Sequence, residues 1–149
     1  MIRGSCLCGG VTFEIARCGG PFELCHCSRC RKVSGSAFMA GVAVRREDFR
    51  LLTGADLIRE YEAPLRVEPP AYRVSFCARC GSPVPDPNST SEFMELAAGL
   101  LDDDPGVRPQ RHIFVECKAR WDAITDGLPA LNEVELREFR KQKRINKYI

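Results

Sequence analysis

Seven of the nine cysteines stand in three tight groups whose spacing suits metal ligation. The groups are Cys6-Leu7-Cys8, Cys25-His26-Cys27-Ser28-Arg29-Cys30 and Cys77-Ala78-Arg79-Cys80. In an extended strand, residues i and i+2 project from the same face, so both cysteines of a Cys-X-Cys segment can face one metal ion. A two-residue gap between cysteines is typical of a tight turn that brings two sulfurs to the same metal. The pattern therefore predicts metal centres built from thiolates.

Seven thiolates divide naturally into four and three. Four sulfurs complete the tetrahedron of a structural Zn²⁺, whereas three leave a coordination position open, as in catalytic zinc sites. An all-sulfur ligand set favours Zn²⁺, with an iron–sulfur cluster as the alternative. Spacing leaves two groupings open. Cys27 and Cys30 could join Cys77 and Cys80 as in a zinc ribbon, or the first and third groups could share one metal and leave the middle group as a trio.

Residues other than the grouped cysteines have ordinary structural interpretations. Glycine after a ligand turn, as at Gly9 and Gly81, permits a positive backbone φ or a close backbone approach. His26 lies between two proposed ligands, so strand alternation turns it away from their metal and favours a hydrogen bond in the core. His112 opens an apolar strand, where a single histidine is usually structural rather than an acid–base group. Trp121 is expected to anchor the core.

The composition is that of an ordinary globular protein. Of 149 residues, 44% are apolar and 28% charged, which predicts a single domain over residues 1–149. No apolar run is long enough to span a membrane, and the net charge of +2 indicates neither a membrane nor a nucleic-acid partner. The first residues lack the apolar core of a signal peptide, so we expect a reducing, cytoplasmic location. Cys18 and Cys117 stand alone, and Cys117 is expected to pack as a small hydrophobe.

The alternation of apolar and polar residues and the turn signals predict short strands. We predict strands over residues 11–15, 22–27, 37–44, 57–62, 71–76, 92–97 and 111–117. A helical turn is predicted over residues 28–33. Asn132 is placed to cap a C-terminal helix that runs to about Lys143, with Glu135 at its third position.

The segments around the cysteines extend the pattern well beyond the ligands. They are Gly4-Ser5-Cys6-Leu7-Cys8-Gly9-Gly10-Val11, Cys25-His26-Cys27-Ser28-Arg29-Cys30-Arg31-Lys32, Phe76-Cys77-Ala78-Arg79-Cys80-Gly81, His112-Ile113-Phe114-Val115 and Trp121-Asp122-Ala123-Ile124-Thr125-Asp126-Gly127-Leu128-Pro129. Taken in order, they resemble the glutathione-dependent formaldehyde-activating enzyme family, which includes the centromere protein V domain. The resemblance covers residues 3–130 and leaves a basic helical tail over residues 132–149. It implies a mostly β, Mss4-like zinc-binding fold of short antiparallel strands, with few short helices and a C-terminal helix.

The resemblance also implies two zinc ions per chain and decides the grouping of their ligands. The structural ion would be held by Cys6, Cys8, Cys77 and Cys80, and the catalytic ion by Cys25, Cys27 and Cys30. The activity implied is the condensation of formaldehyde with glutathione to S-hydroxymethylglutathione, a reaction of the carbon–sulfur lyase class. The partners would therefore be a small thiol and a small aldehyde.

Three basic residues beside the middle group are candidates for binding the thiol. Arg29, Arg31 and Lys32 could dock an anionic thiol such as glutathione, or they could screen a negative zinc–thiolate centre. A second hypothesis treats both zinc sites as structural and the protein as a non-catalytic binding module. The basic run from Arg137 to Lys147 is interpreted as a solvated helix face, with nucleic-acid contact as a minor alternative.

Overall fold

A computed structural model describes residues 1–66 and 71–146. Within these ranges, the strands in chain order are β1 (Ile2–Ser5), β2 (Thr12–Ile15), β3 (Phe22–Cys25), β4 (Met39–Arg45), β5 (Phe49–Thr53), β6 (Ile58–Glu62), β7 (Arg73–Cys77), β8 (Pro83–Val84), β9 (Phe93–Ala97), β10 (Arg111–Ile113) and β11 (Ala130–Leu131). The α-helices of this part of the chain are α1 (Ser28–Ser34) and α2 (Glu133–Asn146). The prediction of a mostly β protein with a C-terminal helix is confirmed. No helix in the described ranges has the length and apolar composition that a membrane span requires.

The chain folds into two compact units. The first consists of Met1–Pro21 with Gly41–Arg108, and the second of Phe22–Ala40 with Pro109–Ile149. The single domain over residues 1–149 stays a prediction. The last residues of the predicted basic tail, from Lys147 onward, lie outside the described residues.

The first unit is built from antiparallel strand pairs. β2 pairs with β1 and β5, β7 pairs with β6 and β8, and β4 pairs with β9. Along β2, Phe13 and Ile15 are fully buried because their side chains alternate with those of more exposed neighbours. The Phe13 ring passes directly over Gly4 on β1, where a Cβ atom would collide with it. A second group of buried side chains consists of Cys6, Val11, Cys77 and Val84.

The second unit pairs its strands in parallel. β10 lies between β3 and β11 and is parallel to both, so the prediction of antiparallel strands holds for the first unit only. All four residues of β3 are buried, as is usual for parallel strands covered on both faces. The predicted strand over residues 111–117 is too long. It ends at Ile113 because Phe114 takes a left-handed conformation with φ of 56°, and a 3₁₀ turn follows at Val115–Cys117.

Both helices of the second unit begin at side-chain caps. The Cys27 sulfur accepts a hydrogen bond from the backbone N–H of Cys30 at 3.4 Å and so caps α1. At α2, the Asn132 side chain accepts from the N–H of Glu135, and the Glu135 carboxylate accepts from the N–H of Asn132. This reciprocal cap confirms the predicted start of the C-terminal helix. Leu136 on α2 is buried, and the charged residues that follow it, from Arg137 to Lys143, are exposed.

Candidate metal centres

The first unit brings four cysteine sulfurs together. The Sγ atoms of Cys6, Cys8, Cys77 and Cys80 all lie within 4.8 Å of one another. The Cys6 and Cys8 sulfurs are 3.5 Å apart, and those of Cys8 and Cys77 are 3.9 Å apart. Four thiolates placed tetrahedrally at about 2.3 Å from Zn²⁺ would be roughly 3.8 Å apart. The spacing and chemistry of these four donors therefore fit a closed zinc site, called here the quartet.

Two similar turns supply the four sulfurs of the quartet. The N–H of Gly9 donates to the carbonyl of Cys6, and the N–H of Gly81 donates to the carbonyl of Cys77, both at 2.8 Å. The two glycines have φ values of 69° and 75°, in the left-handed region that glycine adopts without a steric penalty. The expectation that glycine after each ligand turn permits this conformation is confirmed.

Local hydrogen bonds favour thiolates in the quartet. The Ser82 hydroxyl and amide hold the pKa of Cys80 at about 5. Burial opposes the ionisation of Cys6, but the Val11 amide, 3.3 Å from its sulfur, and the thiols of Cys8 and Cys77 lower its pKa overall. The Gly10 amide favours the thiolate of Cys8, but burial and the neighbouring thiols outweigh it and raise the pKa of Cys8 to about 11. Cys80 therefore supplies a thiolate that can attract a cation.

The second unit brings three cysteine sulfurs together. The Sγ atoms of Cys25, Cys27 and Cys30 lie within 4.8 Å of one another, and we call them the trio. Cys25 ends β3, Cys27 caps α1, and Cys30 lies in the first turn of that helix. The residues that the structure describes add no fourth Cys, His, Asp or Glu to the group. Of the two groupings that spacing left open, the structure forms the one that joins the first and third groups.

The trio concentrates negative charge on its most accessible sulfur. Cys25 and Cys30 are 4% and 5% exposed, whereas Cys27 is half-buried. Hydrogen bonds from Cys25 and Cys30, with further ones from the Cys30 and Arg29 amides, lower the pKa of Cys27 to about 2. The contact with Cys27 raises the pKa of Cys25 to about 12, and the contacts with Cys25 and Cys27 raise that of Cys30 as well. Since the thiolate is the form that binds metal, the trio has its first ligand ready on the exposed side.

The three basic residues proposed to bind the thiol all lie on α1, the helix that Cys27 caps. Lys32 is exposed, and Arg29 is partly exposed. The Nε of Arg31 donates to the backbone carbonyl of His26 at 3.3 Å, so this guanidinium already has a structural contact. The second unit as a whole carries twelve Lys and Arg against seven Asp and Glu, a net charge of +5, whereas the first unit has a net charge of −3. The trio therefore lies in the positively charged unit.

The two histidines of the chain are hydrogen-bonded to each other. His26 Nε2 lies 2.8 Å from His112 Nδ1, and His112 Nε2 lies 3.0 Å from a carboxylate oxygen of Asp126. His26 is 0% exposed, and its Nδ1 lies 3.8 Å from the Asp122 carboxylate. The expected core hydrogen bond of His26 is present. Sequence reasoning did not single out either aspartate, although both belong to the C-terminal segment that carried part of the resemblance.

Two residues lie at the surface instead of in the core. Trp121 is 74% exposed, so the expectation that it anchors the core is wrong. Cys117 is also exposed, because the strand that was expected to bury it ends four residues earlier and the 3₁₀ turn replaces it. Trp121 follows that turn in an irregular segment of the chain.

Comparison with known proteins gives the family. Residues 1–117 match the family described as glutathione-dependent formaldehyde-activating enzyme. The chain belongs to this family. A Halomonas elongata protein named "Putative glutathione-dependent formaldehyde-activating enzyme" is 33% identical over 129 residues, which are 83% of this chain and 81% of that protein. A crystal structure of a Rhodobacter sphaeroides protein matches 87% of this chain and 99% of its own, with a TM-score of 0.50 and 22% identity, and supports the fold.

Proposed function

We propose that the protein is a zinc-dependent enzyme of the carbon–sulfur lyase type that joins a small thiol to a small aldehyde. The thiol would be glutathione or a similar anionic thiol, and the aldehyde formaldehyde or a close relative. The observation that carries this proposal is the trio, a compact three-sulfur group to which the described residues add no fourth ligand. Three protein ligands are the number found in catalytic zinc sites, and the family match agrees with such a role.

The proposal assigns different work to the two groups of cysteines. The quartet of Cys6, Cys8, Cys77 and Cys80 would hold a structural zinc ion, and the trio of Cys25, Cys27 and Cys30 a catalytic one. When bound at the trio, zinc would lower the pKa of an incoming thiol and so supply a thiolate nucleophile at neutral pH. In the reaction, the thiolate sulfur attacks the aldehyde carbon and forms the C–S bond. The carbonyl oxygen then takes up a proton to give a hemithioacetal, and the reverse reaction breaks the C–S bond.

The residues of α1 would recruit and orient the thiol. Glutathione carries two carboxylates, and the second unit, with a net charge of +5, attracts anions from solution. Lys32 is exposed on the helix that begins at the trio, so its ammonium group is available to a carboxylate of the substrate. Burial of Cys25 and Cys30 restricts approach to the side of Cys27, where the two reactants would be held together.

A second candidate function has its own support. The sulfurs of Cys25 and Cys30 are part of a buried cluster with Ile113 and with Leu136 of α2. A metal ion in such a cluster could serve only to hold β3, α1 and α2 together. The protein would then be a binding module with two architectural zinc ions.

The test is the rate of thiol addition on purified protein whose zinc content has been measured. Formation of the hemithioacetal from glutathione and formaldehyde, followed by NMR exchange, should exceed the uncatalysed rate. The Cys27→Ser variant should return the rate to that background. The chain has one tryptophan, Trp121, and its exposed indole offers a fluorescence signal for thiol binding without the aldehyde. A zinc-loaded protein that neither binds the thiol nor exceeds the background rate favours the binding module.

A further inference from the structure

His26, His112 and Asp126 are joined in a row by hydrogen bonds. Which group donates in each bond follows from the charged carboxylate at the end of the row. The Asp126 carboxylate accepts from the Leu128 N–H and from His112, and both contacts lower its pKa, so this group is an anion that only accepts. His112 therefore carries its proton on Nε2, and its Nδ1 is an acceptor. His26 in turn donates from Nε2 at 2.8 Å. Asp126 thereby fixes the tautomer of both rings.

His26 is held through both its backbone and its ring. Its backbone N–H donates to the Ile113 carbonyl at 3.0 Å, and its own carbonyl accepts from Arg31. Its ring is fully buried and packs against Phe38 with centroids 5.3 Å apart. The ring of Phe38 also meets His112 edge-on. The ring of His26 is therefore locked in one orientation by a hydrogen bond and by aromatic packing.

This locked residue lies between two ligands of the trio. Because successive side chains of an extended segment point to opposite faces, holding the His26 ring on one face keeps Cys25 and Cys27 on the other. A rotation of the backbone at His26 would move the two flanking sulfurs apart. The thiols themselves contribute only weak hydrogen bonds to this arrangement.

We propose that Asp126, His112 and His26 are positioning residues that hold the Cys25 and Cys27 sulfurs ready for one metal ion and thereby set the metal affinity of the trio. The inference rests on the proposed function only in taking the trio as a metal site, and it makes no claim about thiol chemistry. Groups that orient metal ligands through hydrogen bonds typically change metal affinity 10- to 100-fold when they are removed. The four cysteines of the quartet are not part of these hydrogen bonds, so the metal affinity of the quartet should not change when the three residues are substituted.

The test compares two variants of the chain of hydrogen bonds with a matched control. His112→Phe keeps an aromatic ring but removes both hydrogen bonds, and Asp126→Asn keeps the shape of the half-exposed carboxylate but removes its charge. Asp104→Asn is the control. Like Asp126, Asp104 accepts from the backbone N–H two residues later, at Gly106, and its other partner is the surface residue Arg108.

Zinc affinity would be measured by competition with a chromophoric chelator in the absence of thiol and aldehyde. We expect two binding steps in the wild-type protein, the tighter one at the quartet with its four sulfurs and the weaker one at the trio with three. In His112→Phe and Asp126→Asn, the weaker step should lose about tenfold or more in affinity, while the tighter step stays unchanged. In the Co²⁺-substituted variants, the thiolate-to-cobalt absorption should lose the part that comes from cobalt bound at the trio. Asp104→Asn should change neither signal.

The outcomes separate this inference from the proposed function. Two binding steps that both variants leave unchanged overturn the positioning role, whatever the activity of the protein. A weaker step that shifts as expected, in a protein with no thiol–aldehyde activity, supports the positioning role and rejects the enzyme. A single binding step in the wild-type protein contradicts both. If His112→Phe does not fold, Asp126→Asn decides, since its side chain is partly solvent-exposed and the substitution changes no volume in the core.

Discussion

The quartet and the trio use the same ligand type in two different ways. The quartet joins residues 6–8 to residues 77–80, so a metal there cross-links distant parts of the first unit. The trio takes its three sulfurs from residues 25–30, within a single strand end and helix start of the second unit. A long closed loop restricts the unfolded chain more than a short one does. This difference supports the proposal that the quartet serves the fold and the trio serves the chemistry.

The units that carry the two groups also differ in charge. The first unit has a net charge of −3 and the second a net charge of +5. A unit with negative net charge is compatible with a metal site that no anionic substrate has to reach, whereas a unit with positive net charge attracts an anionic thiol.

The largest effect is expected from Cys80→Ser, which removes a sulfur from the quartet. Structural zinc binding contributes about 10–16 kcal/mol in small zinc peptides, and the net stability of a domain is only about 5–15 kcal/mol. Losing half of the smaller zinc value would lower the melting temperature by roughly 10 °C or more. Thermal unfolding followed by circular dichroism would measure this. Cys18→Ser in the same unit is the control, and a shift no larger than that of the control would refute a structural quartet.

Cys27→Ser should leave the protein folded but remove one zinc ion and the thiol–aldehyde activity. The half-buried sulfur caps α1 through the Cys30 N–H, and a serine hydroxyl can make the same cap. We therefore expect a melting temperature close to that of Cys117→Ser, an exposed cysteine of the same unit. Zinc analysis should give about one ion per chain. If this variant instead unfolds as readily as Cys80→Ser, the trio is architectural and the contrast between the two groups disappears.

A smaller effect is expected from Lys32→Glu on α1. Reversing one exposed charge should raise the KM for glutathione about 1.5- to 5-fold while kcat stays unchanged, since exposed ion pairs contribute about 0.2–1 kcal/mol each. The KM of the wild-type protein should also rise with salt, because the attraction acts through solvent. Lys141→Glu on α2 makes the same charge change in the same unit and is the control. Equal KM values for the two variants would mean that the net charge of the unit attracts the thiol and that Lys32 on α1 makes no specific contact with it.

The smallest effect concerns the ion pair of Arg3 with Asp103, which ties β1 to the later part of the first unit. Hydrogen bonds from Arg3 lower the pKa of Asp103 from 3.8 to about 2. The stability that this carboxylate contributes is therefore present above its ordinary pKa and is lost as the pH falls through about 2. Asp103→Asn should melt slightly below the wild-type protein at pH 7, and the difference should vanish toward pH 2. Because acid also releases the metal, only the difference at each pH is informative.

Local features of the fold follow from the sequence because neighbouring residues determine them. The alternation in Thr12–Ile15 places its buried residues correctly, and the cap of α2 follows from Asn132 and Glu135 three residues apart. The two ligand turns of the quartet are equally local, since a glycine with positive φ, Gly9 or Gly81, follows each of its cysteine pairs. These features depend on a few adjacent side chains and need no knowledge of the tertiary structure.

Features that depend on distant contacts escaped prediction. The parallel pairing of β10 with β3 joins residues nearly ninety positions apart, and no local pattern specifies such a partner. The end of that strand depends on the left-handed backbone at Phe114, an uncommon conformation for a residue with a side chain. The hydrogen bonds that join His26, His112 and Asp126 also connect residues that are far apart in the sequence. Asp126 is one acidic residue among twenty in the sequence, and only the fold brings it to His112.

The central claim is that the trio holds a metal ion with one position left open. The most direct measurement is a crystal structure of the zinc-loaded protein, with anomalous diffraction at the zinc edge. The account predicts two zinc ions per chain, one bound by the quartet alone and one bound by Cys25, Cys27 and Cys30 at about 2.3 Å, with water or added thiol as its fourth ligand. A protein side chain in that fourth position, or no zinc at the trio, would contradict the claim.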